Sequence, residues 1–254
     1  MVKGLHIFRD HFAPFANQYV LIGGTACDLA MESAALQFRA TKDLDIVLCV
    51  ETISADFIRA FWDFVLTKGK YRIAETSTGQ KRFYRFTNPE DKSFPVMLEL
   101  FSRVPDLLTV RKGAHLTPIP MSEDLSSLSA ILLDDDYYGF IHSSKQVIEG
   151  LSVVGPGCLI PLKAKAWLDL SRLREGGAQI HKADILKHRN DVFRLFPILD
   201  PEPKIALPSA VHSDFRDFLE IVEKEGSVDL KALGLKRFQL EEVLQDLRSI
   251  YGIS

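Results

Sequence analysis

The chain has 254 residues, of which 46% are hydrophobic and 26% are charged, so its composition excludes a disordered or fibrous class. This length allows one large domain or two modest ones, and a formal net charge of -3 argues against a protein that coats nucleic acid through bulk charge. Three scattered cysteines without CxxC spacing fit a reducing compartment, and no apolar run approaches the roughly 20 residues of a membrane span. We therefore expect a cytoplasmic protein without a membrane segment.

The first part of the chain alternates between helical and strand patterns. Apolar residues at helical spacing predict helices over residues 3–17, 26–36 and 55–66. Short runs rich in β-branched and aromatic residues predict strands over 19–22, 44–50, 81–87 and 94–101, with a turn at 88–92. Residues 103–150 remain without an assignment.

The pattern changes at Gly155-Pro156-Gly157. Beyond it, apolar spacing predicts helices over residues 159–173, 181–196, 213–225 and 239–251. The sequence therefore predicts an α+β protein. We expect a lobe with a small mixed or antiparallel sheet over residues 1–155 and a helical lobe over residues 156–254.

An acidic pattern interrupts the second predicted strand. Asp43 and Asp45 alternate with apolar Leu44 and Ile46, so the two carboxylates share one face of the strand. Glu99 is the lone acid in the later apolar run 96–101 and would join them if the two strands were neighbours. Three nearby carboxylates do not all stay ionised without a cation, and Mg²⁺ or Mn²⁺ is the expected one. The competing interpretation is that Asp43 ends a strand and Glu99 pairs with an arginine.

Two glycines precede the second predicted helix. Gly23-Gly24 allows close approach of a ligand to the backbone, and Thr25 can cap the helix whose first N–H groups would face a phosphate. Such a pair is often only a tight turn, but a glycine turn followed by an Asp-x-Asp strand and a third acid is more specific. Arg39 and Thr41, just before the acidic strand, are expected at the mouth of the same site, with simple loop solvation as the alternative.

These motifs resemble the polymerase-β-type nucleotidyltransferase superfamily. The strings IGGTA, RATKDLDIV and LELF carry the resemblance, and their form is similar to that of the AbiEii/MenT toxin branch. The resemblance continues in LIPLKAKA, which places a signature lysine on Lys163, and in KHRNDV, which places an aspartate on Asp191. It covers roughly residues 19 to 195.

The resemblance implies a nucleotidyltransferase lobe in residues 1–155 and a role for each motif residue. Asp43 and Asp45 would hold the metal, and Glu99 would be a third ligand or a base for the acceptor hydroxyl. Gly23, Gly24, Thr25 and Lys163 would bind the NTP. Without the family, Lys163 would be expected on a solvated helix face. Asp191 would either orient Lys163 or lie on the helix surface.

A basic region suggests a second substrate. Residues 163–194 hold eight Lys and Arg against four Asp and Glu, which is a local excess of positive charge in an acidic chain. Lys81, Arg82 and Arg85 alternate with aromatic residues, and this combination suits an RNA end, although a solvated helix face is the common alternative.

The resemblance therefore implies an enzyme that transfers NMP from an NTP to an acceptor, with a cognate antitoxin as a partner. A tRNA 3′ end or a protein hydroxyl would be the acceptor. A nucleotidyltransferase that modifies a small molecule such as an aminoglycoside, and a non-catalytic nucleotide-binding protein of the same fold, are the alternatives.

Overall fold

The structure is a computed structural model that describes residues 2–75, 81–102 and 134–253, without the side chains of residues 73–75 and 81–84. The chain divides into two compact units. The first comprises Met1–Ser122 and Lys145–Val154, and the second comprises Glu123–Ser144 and Gly155–Ser254. One division therefore falls at the boundary expected near residue 155, while a further segment that precedes residue 145 belongs to the second unit.

The first unit is built on a seven-stranded mixed sheet in the order β3-β4-β5-β2-β1-β7-β6. Its strands are β1 (Tyr19–Ile22), β2 (Asp43–Leu48), β3 (Arg72–Glu75), β4 (Lys81–Thr87), β5 (Met97–Phe101), β6 (Lys145–Ile148) and β7 (Leu151–Val154). The pairs β2–β5 and β1–β7 are parallel, and the other neighbouring pairs are antiparallel. Among the described residues the sheet is accompanied by α1 (Leu5–Phe12), α2 (Gly23–Ser33) and α3 (Ala55–Trp62), the last continued by a π-helical turn to Lys68.

One face of this sheet carries an aromatic core. The rings of Phe8 and Phe12 on α1 lie 5.4 and 6.2 Å from Tyr19 on β1, and Phe12 lies 5.6 Å from Phe57 on α3. Phe86 on β4 reaches the same cluster through α3. All of these rings are almost completely buried, so α1 and α3 cover the sheet face to which Tyr19 and Phe86 point.

The opposite face carries the charged residues. Register pairs Asp45 with Ile22 on one side and with Glu99 on the other, and Glu99 with Arg85. Paired residues share a face and neighbours in a strand alternate, so this row faces away from Phe86 and the aromatic core. Leu44 and Ile46 are buried, which agrees with their predicted orientation opposite the acids.

The second unit is helical. It contains α4 (Asp135–Ser143), α5 (Pro156–Glu175), α6 (Lys182–Leu195), α7 (Ser209–Glu225) and α8 (Leu240–Tyr251). Local sequence sets several of these ends. The Asp134 side chain accepts hydrogen bonds from the first N–H groups of α4, and Gln239 and Glu242 form a capping box at the start of α8. Apolar residues of α5, α7 and α8 such as Trp167, Phe215 and Val243 are buried.

The predicted α+β class is confirmed. The strand predicted over 94–101 begins only at Met97, and the helix predicted over 26–36 already begins at Gly23. Strands β3, β6 and β7 and helix α4 are not among the predicted elements; β6 and α4 lie within the segment without an assignment, and β7 directly follows it. In the described part of the chain, no helix combines the length and apolar character needed to cross a membrane.

Candidate functional site

The Gly-Gly-Thr segment contacts the acidic strand at three successive positions. Gly23 has a positive φ of 65°, and a Cβ there would overlap the Asp45 carboxylate. A Cβ on Gly24 would lie 2.5 Å from Thr41 Oγ1, and the Thr25 hydroxyl donates to the Asp43 carbonyl oxygen at 2.7 Å. The start of α2 is therefore fitted to the start of β2, and only glycine at position 23 leaves room for the Asp45 side chain.

This arrangement places a carboxylate beside a helix N-terminus. Asp45 is 7% exposed and Thr25 is fully buried, while Ile22, the N-cap residue of α2, supplies no side-chain cap. The free N–H groups of a first helical turn and the helix dipole favour negative charge. The same features suit a phosphate, and nucleotide binding at this turn stays a prediction.

Glu99 lies next to Asp45 but is held by an arginine. The two strands are neighbours, the condition under which Glu99 was expected to join the aspartates, since β2 and β5 pair in register with Asp45 opposite Glu99. Arg85 on β4 donates from Nε to Glu99 Oε1 at 2.7 Å, and its Nη2 lies 2.6 Å from the same oxygen. Glu99 therefore pairs with an arginine, as the competing interpretation expects. The guanidinium of Arg85 already neutralises the negative charge of this carboxylate.

The carboxylates suit a metal that completes its coordination with substrate. Within the described residues, no group of three or more His, Cys, Asp or Glu side chains is arranged to hold a metal. Mg²⁺ is commonly bound by one or two carboxylates together with waters and substrate phosphates. Asp43 and Asp45, on one face of β2, fit that kind of site, whereas a cage with Glu99 as a third protein ligand is not formed.

The second unit holds the predicted lysine and aspartate together. Lys163 on α5 and Asp191 on α6 are 6% and 0% exposed, and Lys163 Nζ lies 3.4 Å from Asp191 Oδ2. Arg194 donates from Nη1 to the other Asp191 oxygen at 3.1 Å. Lys163 is therefore not on a solvated helix face and Asp191 is not a surface acid. The carboxylate is placed to fix the buried amine of the lysine.

The helix that carries Lys163 tolerates a proline two residues earlier. Pro161 lies within α5 and has no N–H to donate to the Gly157 carbonyl. The Tyr251 hydroxyl on α8 donates to that carbonyl oxygen at 3.0 Å instead. Burial raises the pKa of Tyr251 well above its ordinary value, so the hydroxyl keeps its proton and remains a donor. This bond replaces the missing helical one.

Lys165 belongs to a separate network on another side of α5. Its Nζ lies 3.1 Å from both Asp169 Oδ1 and Asp214 Oδ2, and the Tyr137 hydroxyl donates to Asp214 Oδ2 at 3.0 Å. Burial lowers the pKa of Lys165, but Asp169 and Asp214 together raise that pKa by more than burial lowers it, so the net shift is upward. For Asp169 burial is the largest effect and its pKa is raised. The network joins α4, α5 and α7 and has the character of a structural ion pair.

The basic region predicted for RNA is largely paired within the second unit. Lys187 pairs with Asp184 at 3.2 Å, Arg189 with Glu225 at 3.3 Å, and Arg172 lies 3.8 Å from Asp217. In the first unit Arg85 is committed to Glu99, and the side chains of residues 81–84 lie outside the described residues. Arg39, expected at the site mouth, has its guanidinium carbon 5.3 Å from the Phe38 ring centroid.

Two ion-pair partners of the candidate site residues, Arg194 and Arg85, were not predicted from the sequence. The Arg194–Asp191 bond could have been found from its i,i+3 helical spacing. The Arg85–Glu99 pair joins residues of strands whose register depends on the turn between them. No local pattern singled out Arg85 as the partner of this acid.

Comparison with known proteins gives little further information. The chain matches no protein-family model and no curated protein. Among solved structures, the crystal structure of JHP933 from Helicobacter pylori is similar with a TM-score of 0.41 and 16% identity, over 96% of this chain and 85% of that one. A likeness at this level supports no conclusion about family or function.

Proposed function

We propose that the protein is a metal-dependent nucleotidyltransferase that transfers NMP from an NTP to an acceptor hydroxyl in the cytoplasm. The observation that carries the proposal is the fit between Gly23-Gly24-Thr25 and the strand that bears Asp43 and Asp45. A glycine turn at a helix start, beside same-face carboxylates, provides a place for phosphates and for the cation that accompanies them.

Each group has a definite chemical task in this proposal. The acceptor oxygen forms a bond to the α-phosphorus, the bond from that phosphorus to the β-phosphate oxygen breaks, and pyrophosphate leaves. Asp43 and Asp45 hold Mg²⁺ or Mn²⁺, which neutralises phosphate charge when bound. Glu99 accepts the proton of the acceptor hydroxyl, while Arg85 orients its carboxylate. Lys163 stabilises charge on the phosphates and Asp191 fixes its position.

An acceptor screen tests the proposal. The protein is incubated with each of the four NTPs labelled at the α-phosphate, with Mg²⁺ or Mn²⁺, and with total tRNA, a protein extract or an aminoglycoside panel. Label transfer that disappears in the Asp43→Asn/Asp45→Asn double variant supports the proposal. Transfer to tRNA supports the toxin-like form with an antitoxin partner, and transfer to an aminoglycoside supports the small-molecule form.

Binding without transfer has a distinct signature. If NTP binds to the wild-type protein with a measurable Kd but no label moves to any acceptor, the non-catalytic alternative holds. If neither binding nor transfer is observed, the nucleotidyltransferase proposal fails.

A further inference from the structure

A large cavity lies within the helical unit, and neither Lys163 nor Asp191 lines it. It has a volume of about 700 Å³ and is lined by the C-terminal half of α5, one side of α6 and the end of α7. This size is within the range of natural small-ligand sites. Trp167 and Ile185 form part of its wall, and both are buried.

The innermost charged group of the cavity is Arg189. This arginine is 7% exposed, and its Nη1 donates to Glu225 Oε2 at 3.3 Å and to Ser227 Oγ at 3.1 Å. Its Nε is buried and has no hydrogen-bond partner in the described part of the chain. A guanidinium presents five N–H donors, and a buried donor without a partner costs free energy.

Neighbouring acids do not fully compensate this buried charge. Burial is the largest effect on the pKa of Arg189 and lowers it, although Glu225 acts in the opposite direction. Glu225 is 44% exposed at its side chain, so water weakens its attraction for the guanidinium. The site therefore has capacity for a further negative group next to Arg189.

Two more cations line the same cavity. Arg174 at the end of α5 and Lys182 at the start of α6 are exposed and form no ion pair with any residue that the structure describes. Glu175 also lines the cavity, so the three cations exceed the two acids there by one charge. Exposed cations beside a buried guanidinium with an unpartnered Nε–H group provide charge-assisted hydrogen-bond donors for a phosphate.

We propose that this cavity is a binding site for a phosphate monoester, with Arg189 as the inner ligand and Arg174 and Lys182 at the entrance. The phosphate would be carried by a free nucleotide or by the 5′ end of an RNA. Trp167 and Ile185 offer apolar contact to the body of the ligand. The site is separate from the proposed transfer chemistry and requires neither metal nor acceptor.

Tryptophan fluorescence gives a direct readout. The chain has two tryptophans, so in the full-length Trp62→Phe protein the signal comes from Trp167 alone. The probes are AMP, adenosine, and a short RNA with either a 5′-phosphate or a 5′-hydroxyl, each titrated without divalent metal at constant ionic strength. We expect a saturable change with the phosphorylated probes and none with adenosine or the 5′-hydroxyl RNA. Tighter binding of AMP identifies a free nucleotide as the ligand, and tighter binding of 5′-phosphorylated RNA identifies an RNA end.

Variants locate the response. Arg189→Gln is expected to weaken phosphate binding about tenfold, the usual loss for one charge-assisted hydrogen bond. Because Arg189 is buried, this variant is read together with Arg174→Ala/Lys182→Ala, which changes exposed side chains only and is expected to weaken binding several-fold. Lys187→Ala is the matched control, since Lys187 lies on α6, pairs with Asp184 and does not line the cavity.

Three results would overturn the proposal. The first is the absence of a saturable response to any phosphorylated probe, and the second is equal affinity for AMP and adenosine. The third is a response that survives in Arg174→Ala/Lys182→Ala but is lost in Lys163→Ala, because the ligand would then bind at the proposed transfer site. Failure of nucleotidyl transfer leaves all of these measurements interpretable.

Discussion

Gly23 lies so close to Asp45 that a Cβ at position 23 would be 2.6 Å from the Asp45 Cγ and would overlap the carboxylate itself. The glycine also has a positive φ of 65°, which L side chains rarely adopt. One residue thus serves both the turn into α2 and the placement of an acid on β2. This explains physically why the helix begins with a glycine.

Gly23→Ala should disturb both the fold and the site. We expect a loss of unfolding free energy of at least about 1–2 kcal/mol from backbone strain alone, and loss of metal-dependent NTP binding because the Asp45 side chain must move. Chemical denaturation and NTP titration measure the two effects.

Two other glycines provide matched controls for this variant. Gly252 has a φ of 63° with nothing within 4 Å of a built Cβ, so Gly252→Ala reports strain alone. Gly139 in α4 has neither feature, and Gly139→Ala should be neutral or slightly stabilising. If Gly23→Ala binds NTP as Gly252→Ala does, the contact with Asp45 has no functional role.

Lys163→Ala should reduce turnover far more than Lys165→Ala. Removal of one electrostatic contact to developing charge commonly costs about 10²–10³ in rate, whereas Lys165 belongs to a different network with Asp169 and Asp214. Transfer rates and NTP affinities of both variants, measured on the same acceptor, separate the two roles.

Stability must be followed in the same two variants. Breaking the buried Lys163–Asp191 pair is expected to cost about 3 kcal/mol, with Arg194 retaining part of the compensation. Turnover is therefore compared under conditions where both proteins remain folded. A Lys165→Ala protein that is the slower of the two would contradict the assignment of Lys163.

Arg85→Gln should make the thermal stability of the protein depend on bound metal. Without the guanidinium, Glu99 and its neighbour Asp45 repel each other, so the melting temperature should fall at neutral pH and recover on addition of Mn²⁺. Differential scanning fluorimetry with and without Mn²⁺ measures this. Glu99→Gln in the same background removes one of the two repelling acids, so the rise in melting temperature on addition of Mn²⁺ should be smaller; an equal rise in both proteins would contradict the expectation.

Tyr19→Phe should change stability at alkaline pH and little at neutral pH. Burial raises the pKa of Tyr19 to about 12. The unfolded chain therefore ionises this phenol first, and the stability that is present below pH 10 is lost as pH rises toward 12. At pH 11 this loss amounts to about 1.4 kcal/mol for one such tyrosine.

Denaturation at pH 8 and pH 11 tests the sign of this effect. Among the described residues the Tyr19 hydroxyl has no side-chain hydrogen-bond partner, and phenylalanine keeps the ring contacts with Phe8 and Phe12, so the variant should be within about 1 kcal/mol of wild type at pH 8. A loss between the two pH values that is as large in Tyr19→Phe as in wild type would show that Tyr19 does not contribute.

Local patterns predicted those features of the fold that depend on neighbouring residues. Alternation along β2 gave the orientation of Asp43 and Asp45, and helical spacing gave α5 and α6. The order of the sheet was not predictable, because β2 and β5 are parallel and far apart in sequence. That order and register place Arg85 opposite Glu99. They also decide whether two or three acids can hold a metal.

A metal titration in the presence of NTP tests most directly whether Asp43 and Asp45 hold the metal. Binding of Mn²⁺ is measured by calorimetry for the wild-type protein, for Asp43→Asn/Asp45→Asn and for Glu99→Gln, each with the same saturating NTP. We expect the double variant to lose at least about tenfold in Mn²⁺ affinity. The Mn²⁺ affinity of Glu99→Gln should change less, because Arg85 already holds that carboxylate. Equal Mn²⁺ affinity in the wild-type protein and the Asp43→Asn/Asp45→Asn variant would contradict this expectation.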